Sequence, residues 1–346
     1  MKKKIVWLAV SYLMVLSLVL ASCAPAVEEE EEEVTVSEEE EEEVTAPEEV
    51  APAPETVAFP DEKLGAAIKD ALGKPVGEEI TVVELATLTT LGAESSNITD
   101  LSGLEYCTNL TGLGLRGNQI NDISPLANLT SLTRLALMGN QISDISPLEN
   151  LTNLFFINLF NNKISDISPL SNLTSLTDLT LWENQISDIT PLANLTSLTE
   201  LRLGKNQISD ISPLSSLTNL TELYLDENQI SDISPLASLT SLTTLVLYEN
   251  QISDITPLAN LTSLTELRLG KNPISDISPL SSLTNLTVLF LSWMQISDIS
   301  PLVENSGLGA GDKVWLEDNN LDLSEASEDM ENIKALEDRG VVVYYE

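Results

Sequence analysis

Nine aspartates, Asp122, Asp144, Asp166, Asp188, Asp210, Asp232, Asp254, Asp276 and Asp298, recur at a spacing of 22 residues. Carboxylates at a fixed interval can do two kinds of chemistry. They can line up as oxygen ligands for a hard cation such as calcium, or each can accept a hydrogen bond from a backbone amide a little further along. Each precedes an Ile-Ser-Pro or Ile-Thr-Pro turn, and like charges stacked about 5 Å apart repel unless screened or hydrogen-bonded, so a turn cap is the expected role. The chain has no histidine, which removes the usual general base and the commonest metal ligand. No glycine-rich phosphate loop is present, and the carboxylates belong to repeat positions rather than to one cleft. An enzyme is therefore disfavoured, and no metal or other cofactor is expected. A net charge of −38, from 16 Lys and Arg against 54 Asp and Glu, argues equally against nucleic acid, which needs clustered cations.

The elements that carry these aspartates are repeats. From Leu85 the chain divides without a gap into ten units of 22 residues that end at residue 304. Each reads close to L-T-x-L-T-x-L-x-L-x-x-N-x-I-S-D-I-S-P-L-x-x. The L-x-L alternation predicts a short strand with leucines inward, and Ser-Pro-Leu predicts a turn of 3₁₀ helix beginning with proline. No single unit can bury its own leucines, so neighbours must stack, each strand adding to a parallel sheet.

The unit resembles the 22-residue leucine-rich repeat of bacterial internalin-like proteins, over roughly residues 59–346. That resemblance implies an α/β repeat solenoid, a leucine-rich repeat horseshoe with a parallel concave β-sheet and convex 3₁₀ turns. It also implies a structural asparagine ladder, here Asn118, Asn140, Asn162, Asn184, Asn206, Asn228, Asn250, Asn272 and Asn319, whose amides satisfy backbone groups of adjacent turns. Ser96 and Met294 stand where that ladder would have asparagine.

Both ends of the array need covers. Residues 59–84 predict an N-terminal helical cap, with Leu64, Ile68 and Leu72 on one helical face and capping-box spacing from Thr81 to Glu84. Residues 305–346 predict a last irregular repeat and a C-terminal helix and strand cap, with Met330, Ile333 and Leu336 on one face, Gly340 as a stop and "VVVYY" as the last strand. Cys107 occupies a leucine position and reads as a small buried hydrophobe.

The residues before the array predict export. Lys2, Lys3 and Lys4, an apolar run from Ile5 to Leu20, and then "LASC" resemble a bacterial lipoprotein signal. The resemblance implies cleavage after residue 22, lipidation of Cys23, and a mature protein held on a membrane in the cell envelope, facing the exterior or the periplasm. The alternative is an uncleaved membrane anchor, for which about 18 apolar residues are wanted. Residues 23–58 hold fifteen glutamates and no basic residue, a composition that predicts a disordered, extended tether.

Two consecutive blocks, 173–238 and 239–304, match unit by unit and differ at eleven positions. The outward residues of x-L-x-L-x-x should line the concave face. They make up twelve of the 66 positions and carry seven of the eleven differences, where even scatter would give roughly two on the physical ground that exposed turns tolerate change equally well. The same positions collect aromatics: Phe156, Phe160, Trp182, Tyr224, Tyr248, Phe290, Trp293 and Trp315, interleaved with Arg202 and Arg268. Trp and Tyr are typical binding anchors. These ten residues are the candidate ligand-binding surface, for a protein or peptide ligand or a glycan, presented by a monomer. The bland alternatives are aromatic pairing that stabilises the sheet, and a structural envelope spacer without a ligand. Trp293 and Met294 belong either to the hydrophobic end of that surface or to a seam covered by "GLGAGDK", Gly307 to Lys313.

Overall fold

The computed structural model describes residues 55–345. The signal segment, Cys23 and nearly all of the glutamate-rich stretch lie outside the described residues.

Twelve three-residue strands, from Thr90–Gly92 to Val342–Tyr344, stack in chain order into one parallel sheet. As far as the strand Val288–Phe290, neighbouring strands pair at a separation of 22 residues, Leu201 beside Leu223 and Leu223 beside Leu245. The register follows from the period: one repeat is one coil of the solenoid. Both leucines of L-x-L point inward, as Leu201, Leu203, Leu223 and Leu225 do at 0% exposure. Opposite the sheet, every Ser-Pro-Leu or Thr-Pro-Leu of residues 124–282 opens a 3₁₀ turn with proline in its first turn. The result is the leucine-rich repeat horseshoe, its core a continuous column of leucine and isoleucine.

Polar ladders hold the column in register. Asn206 shows the pattern: its Oδ1 accepts from the Ile186 amide at 3.0 Å, and its Nδ2 donates to the Leu181 and Leu203 carbonyls at 3.1 and 2.9 Å. Asn319 makes the same bonds to Ile296, Leu291 and Leu316 at the far end. Met294 breaks the ladder. Its side chain is 6% exposed and joins the apolar column, so the Ile274 amide has no asparagine acceptor such as Ile252 finds in Asn272. A second ladder escaped the sequence reading. The fifth residue of most repeats is threonine, and its hydroxyl donates to the carbonyl one coil earlier, as Thr221 does to Thr199 and Thr243 to Thr221, both at 3.0 Å.

The nine aspartates are turn caps. Each carboxylate accepts the backbone amide two residues on at 2.8 Å, from Ser124 on Asp122 to Ser300 on Asp298. Hydrogen bonds from that residue's amide and hydroxyl hold Asp144, Asp188, Asp232, Asp254 and Asp298 below the usual carboxylate range. Cys107 is fully buried, and burial, aided by Glu105, pushes its thiol up to about 12.

The helix Glu62–Leu72 covers the first coil with Leu64 and Ile68. Asp61 caps that helix through the Lys63 and Leu64 amides and also accepts from the Thr99 amide at 2.8 Å, tying the cap to the first coil. One boundary moves. Thr56–Val57, expected to lie in the tether, pairs antiparallel with Ile80–Thr81, and the Glu55 carbonyl accepts from Val82. Val57 packs against the core, so the apolar valine draws these residues into the cap despite the acidic stretch before them. At the other end the helix Glu328–Asp338 buries Ile333 and Leu336, and Gly340 turns the chain at φ 90° into the last strand. Among the described residues no helix is long and apolar enough to cross a membrane.

Candidate functional site

Two outward residues of each three-residue strand, and the second and third residues beyond its end, build the concave face. The last of these four is left-handed in nearly every coil: Gly117, Gly139, Asn161, Glu183, Lys205, Glu227, Glu249, Lys271, Trp293 and Asp318 have φ between 51 and 68°. Left-handed backbone costs a non-glycine residue roughly 1–2 kcal/mol, and a bulky ring gains nothing there unless it touches something. Trp293 is 48% exposed. It is held in a strained position with half its indole in solvent.

The segment Gly307–Lys313 does not cover it. Gly307 presses so closely on the Thr284 carbonyl that no Cβ would fit, and Gly311 donates to the Gly340 carbonyl at 3.0 Å. The segment thus runs between the preceding repeat and the C-terminal cap.

The predicted residues fall into separate groups. Phe160, Trp182 and Arg202, with Met138, Asn158, Thr180, Glu183 and Lys205, line a hollow of about 290 Å³. Trp182 also belongs to a larger hollow of about 530 Å³, with Tyr224, Asp226, Val246, Tyr248, Glu266, Arg268, Phe290 and Trp293. Phe156 lies in neither; its ring sits under the Arg134 guanidinium, 4.3 Å from the ring centre. Trp315 also lies outside, stacked between Phe290 and Tyr344 at 4.3 and 5.0 Å. That stack continues the strip into the C-terminal cap, so Trp315 helps to weld the cap to the array. A third groove, of about 770 Å³, runs along the N-terminal helix, far in the chain from these aromatics.

The third outward position varies in size over a three-coil repeat: Trp182, Gly204, Asp226, then Tyr248, Gly270, Ser292. Large side chains lean over small neighbours, so not every outward residue faces solvent. Tyr248 lies on Gly270, where a Cβ would come within 3.2 Å of the ring, and the Asp226 carboxylate lies on Gly204, where a Cβ would come within 2.6 Å. Ser292, 1% exposed, donates to Glu317. Asp226 and Ser292 were expected on the open concave surface and are buried instead, because side chains from adjacent coils close over them.

Electrostatically the strip is acidic with its cations engaged. Arg202 pairs with Glu200 at 2.5 Å and reaches Glu222 at 3.7 Å; Lys205 reaches Glu227 at 3.8 Å. Arg268 pairs with Glu266 at 2.5 Å and Lys271 with Glu249 at 2.7 Å. These four cations face the five glutamates just named together with Asp178, Glu183 and Asp226, eight carboxylates in all, so carboxylates outnumber them twofold across these coils. The arginines stack on rings as well, Arg202 over Tyr224 at 4.5 Å and Arg268 over Phe290 at 5.4 Å. Burial, then a hydrogen bond to Glu222, pushes the Tyr224 phenol up to about 12. Burial pushes Asp226 up to about 6, against a hydrogen bond from its own backbone amide and the weaker pull of Lys205 and Arg268. Sequence reasoning missed Arg134; it counted Asp226 among the charges of the concave face, with nothing in its own repeat to single it out.

A parallel solenoid with an asparagine ladder and a concave strip of this kind defines a leucine-rich repeat protein. The leucine-rich repeat family model, in two-copy units, matches from residue 108 to residue 304 in overlapping segments. An internalin (inlF) of Listeria monocytogenes is 41% identical over 86% of this chain and 94% of its own, with a TM-score of 0.71. Internalin C2 of the same organism is 40% identical over 68% of this chain and 94% of its own, with a TM-score of 0.57. A plant peptide hormone receptor, RGFR1, solved in complex with RGF2, is 25% identical over 63% of this chain and 41% of its own, with a TM-score of 0.53. No curated protein matches the chain. The chain belongs to the internalin-like bacterial leucine-rich repeat family.

Proposed function

We propose that this protein is exported, anchored through lipid on Cys23, and captures a protein or peptide ligand on the concave face, without catalysing a reaction. The observation that carries the ligand reading is Trp293, a half-exposed indole on strained left-handed backbone beside the aromatic hollow. A ring in that position contributes little to the fold and much to an interface, where a buried aromatic anchor is typically worth 2 kcal/mol or more. The solved complex of the plant receptor with RGF2 supports a peptide as ligand class. Family membership supports an exterior location.

The double variant Tyr248→Ala with Trp293→Ala tests the reading. Capture of a partner from extracellular fractions, quantified by titration against the wild-type chain, should weaken at least about tenfold, the loss of roughly one anchor. Thermal unfolding should move by no more than a few degrees, since neither ring sits in the leucine column. Unchanged capture would leave a spacer as the remaining reading.

Anchoring has its own test. A single acyl chain holds a protein on a membrane only marginally, whereas a multiply acylated cysteine holds it stably. Cys23→Ala should abolish incorporation of labelled fatty acid and release the protein from the membrane fraction. Labelling at the wild-type level would remove Cys23 as the attachment point.

A further inference from the structure

Two of the three buried side-chain polar atoms without a hydrogen-bond partner among the described residues belong to the walls of the larger hollow: Asp226 Oδ1 and Trp182 Nε1. Buried polar groups are nearly always satisfied, and a carboxylate left unpaired is the costlier exception. Asp226 is 6% exposed. Its bed is prepared for it, since Gly204 beneath it has no Cβ to collide with the carboxylate. The sister block has Ser292 at this position, bonded to Glu317, so the orphaned acid is particular to one hollow.

The one hydrogen bond that favours its charged form comes from its own backbone amide. Lys205 and Arg268 are near enough to influence its charge but are committed to Glu227 and Glu266. The hollow that the carboxylate lines carries five rings, Trp182, Tyr224, Tyr248, Phe290 and Trp293, along with Val246, Glu266 and Arg268. Ring faces with a desolvated carboxylate among them favour one type of visitor, a flat or compact cation that stacks on the rings while it donates to the oxygen. The local excess of carboxylates attracts the same charge from a distance.

We propose that this hollow is a subsite for a basic side chain, arginine or lysine, carried on a peptide segment of the bound partner, with Asp226 as its counter-ion. The proposal rests on the concave-face reading and specifies its chemistry. Trp182 Nε1 then takes a carbonyl, which a peptide backbone supplies beside the side chain. Asp226, although on the concave side, is a specificity residue rather than a fold residue, and the protein tolerates its unpaired state because the ligand completes it.

The experiment uses the full chain labelled with ¹⁵N-tryptophan, whose four indoles report separately. The probes are N-acetyl-arginine amide and its neutral isostere, N-acetyl-citrulline amide. The arginine probe should shift the Trp182 and Trp293 indole signals saturably and leave Trp315 in place, and the citrulline probe should bind at least tenfold more weakly. Asp226→Asn should erase that preference without lowering the thermal midpoint, because it removes a buried unpaired charge. On the wild type, moving from pH 7.5 to pH 5 should weaken the arginine probe as Asp226 takes up a proton; the other charged groups around it are Lys205, Glu227, Glu266 and Arg268.

The stability sign is opposite. A carboxyl raised from 3.8 to about 6 when folded adds stability that is complete below its unfolded pKa and lost as pH rises through 6, so the asparagine variant should gain on wild type progressively between those two values and in full above 6. Equal shifts by the two probes would overturn the proposal, as would full arginine preference in Asp226→Asn. If that variant unfolds early, the wild-type pH series decides: an arginine affinity flat from pH 7.5 to 5 overturns it. Loss of partner capture in the Tyr248 and Trp293 variant, with no arginine preference here, would retain the concave face and discard the basic side chain.

Discussion

Asn206→Ala is expected to lower the unfolding free energy by about 3–5 kcal/mol, more than any exposed substitution on the array. The side chain serves the Ile186 amide and the Leu181 and Leu203 carbonyls at once, and all lie in the buried column where water cannot replace it. An unsatisfied buried group costs about 1–3 kcal/mol, and alanine orphans an amide and weakens two carbonyls together. On the scale for domains of this size that is a fall in thermal midpoint of about 10 °C. Urea unfolding followed by circular dichroism would measure it. Gln207→Ala, one residue along and exposed, is the control and should stay within about 0.5 kcal/mol. Equal effects from the two variants would mean that the ladder is ornamental to stability. Met294 indicates how the chain tolerates a gap: there a buried apolar side chain replaces the amide, adding hydrophobic contact where hydrogen bonds were lost.

Leu245→Ala should have a comparable cost by a different route. Leu245 is 0% exposed and pairs in register with Leu223 and Leu267. Its truncation leaves a cavity lined by the coils on both sides, and buried leucine-to-alanine changes cost about 3–5 kcal/mol where the surroundings cannot collapse. In a solenoid each coil contacts only its neighbours, so a weakened central interface also threatens cooperativity. The expected result is a lower midpoint and a broader transition, or two transitions, in calorimetry. Partner capture, measured well below the new midpoint, should remain near wild type. That is the reverse of the outcome for Tyr248→Ala with Trp293→Ala, and the contrast separates residues that hold the coil from residues that face a ligand. A Leu245→Ala protein that unfolds as late as wild type would show that the inward leucines do not carry the array.

The 22-residue period by itself determined the coil, the parallel register, the inward leucines and the aspartate turn caps, and the family resemblance added the asparagine ladder. The reason is that all of these are relations between a residue and the backbone of its own or the adjacent coil, and a repeat states such relations again at every turn. The helical cap faces were equally legible, because Leu64 with Ile68, and Ile333 with Leu336, recur at helical spacing beside strong caps. The tertiary structure decided what the concave strip is. Whether an outward residue is open or covered depends on what stands one and two coils away, 22 or 44 residues along the chain, and no pattern within one repeat encodes that. So Asp226 reads as an exposed acid in its own repeat and is buried in the fold, lying on Gly204 in a hollow walled by Trp182 and Tyr248. Trp315 reads as one more anchor on the strip and is instead stacked between Phe290 and Tyr344. Strand pairing across the "GLGAGDK" segment sets that stack, for only the folded sheet brings residues 290, 315 and 344 onto adjacent strands.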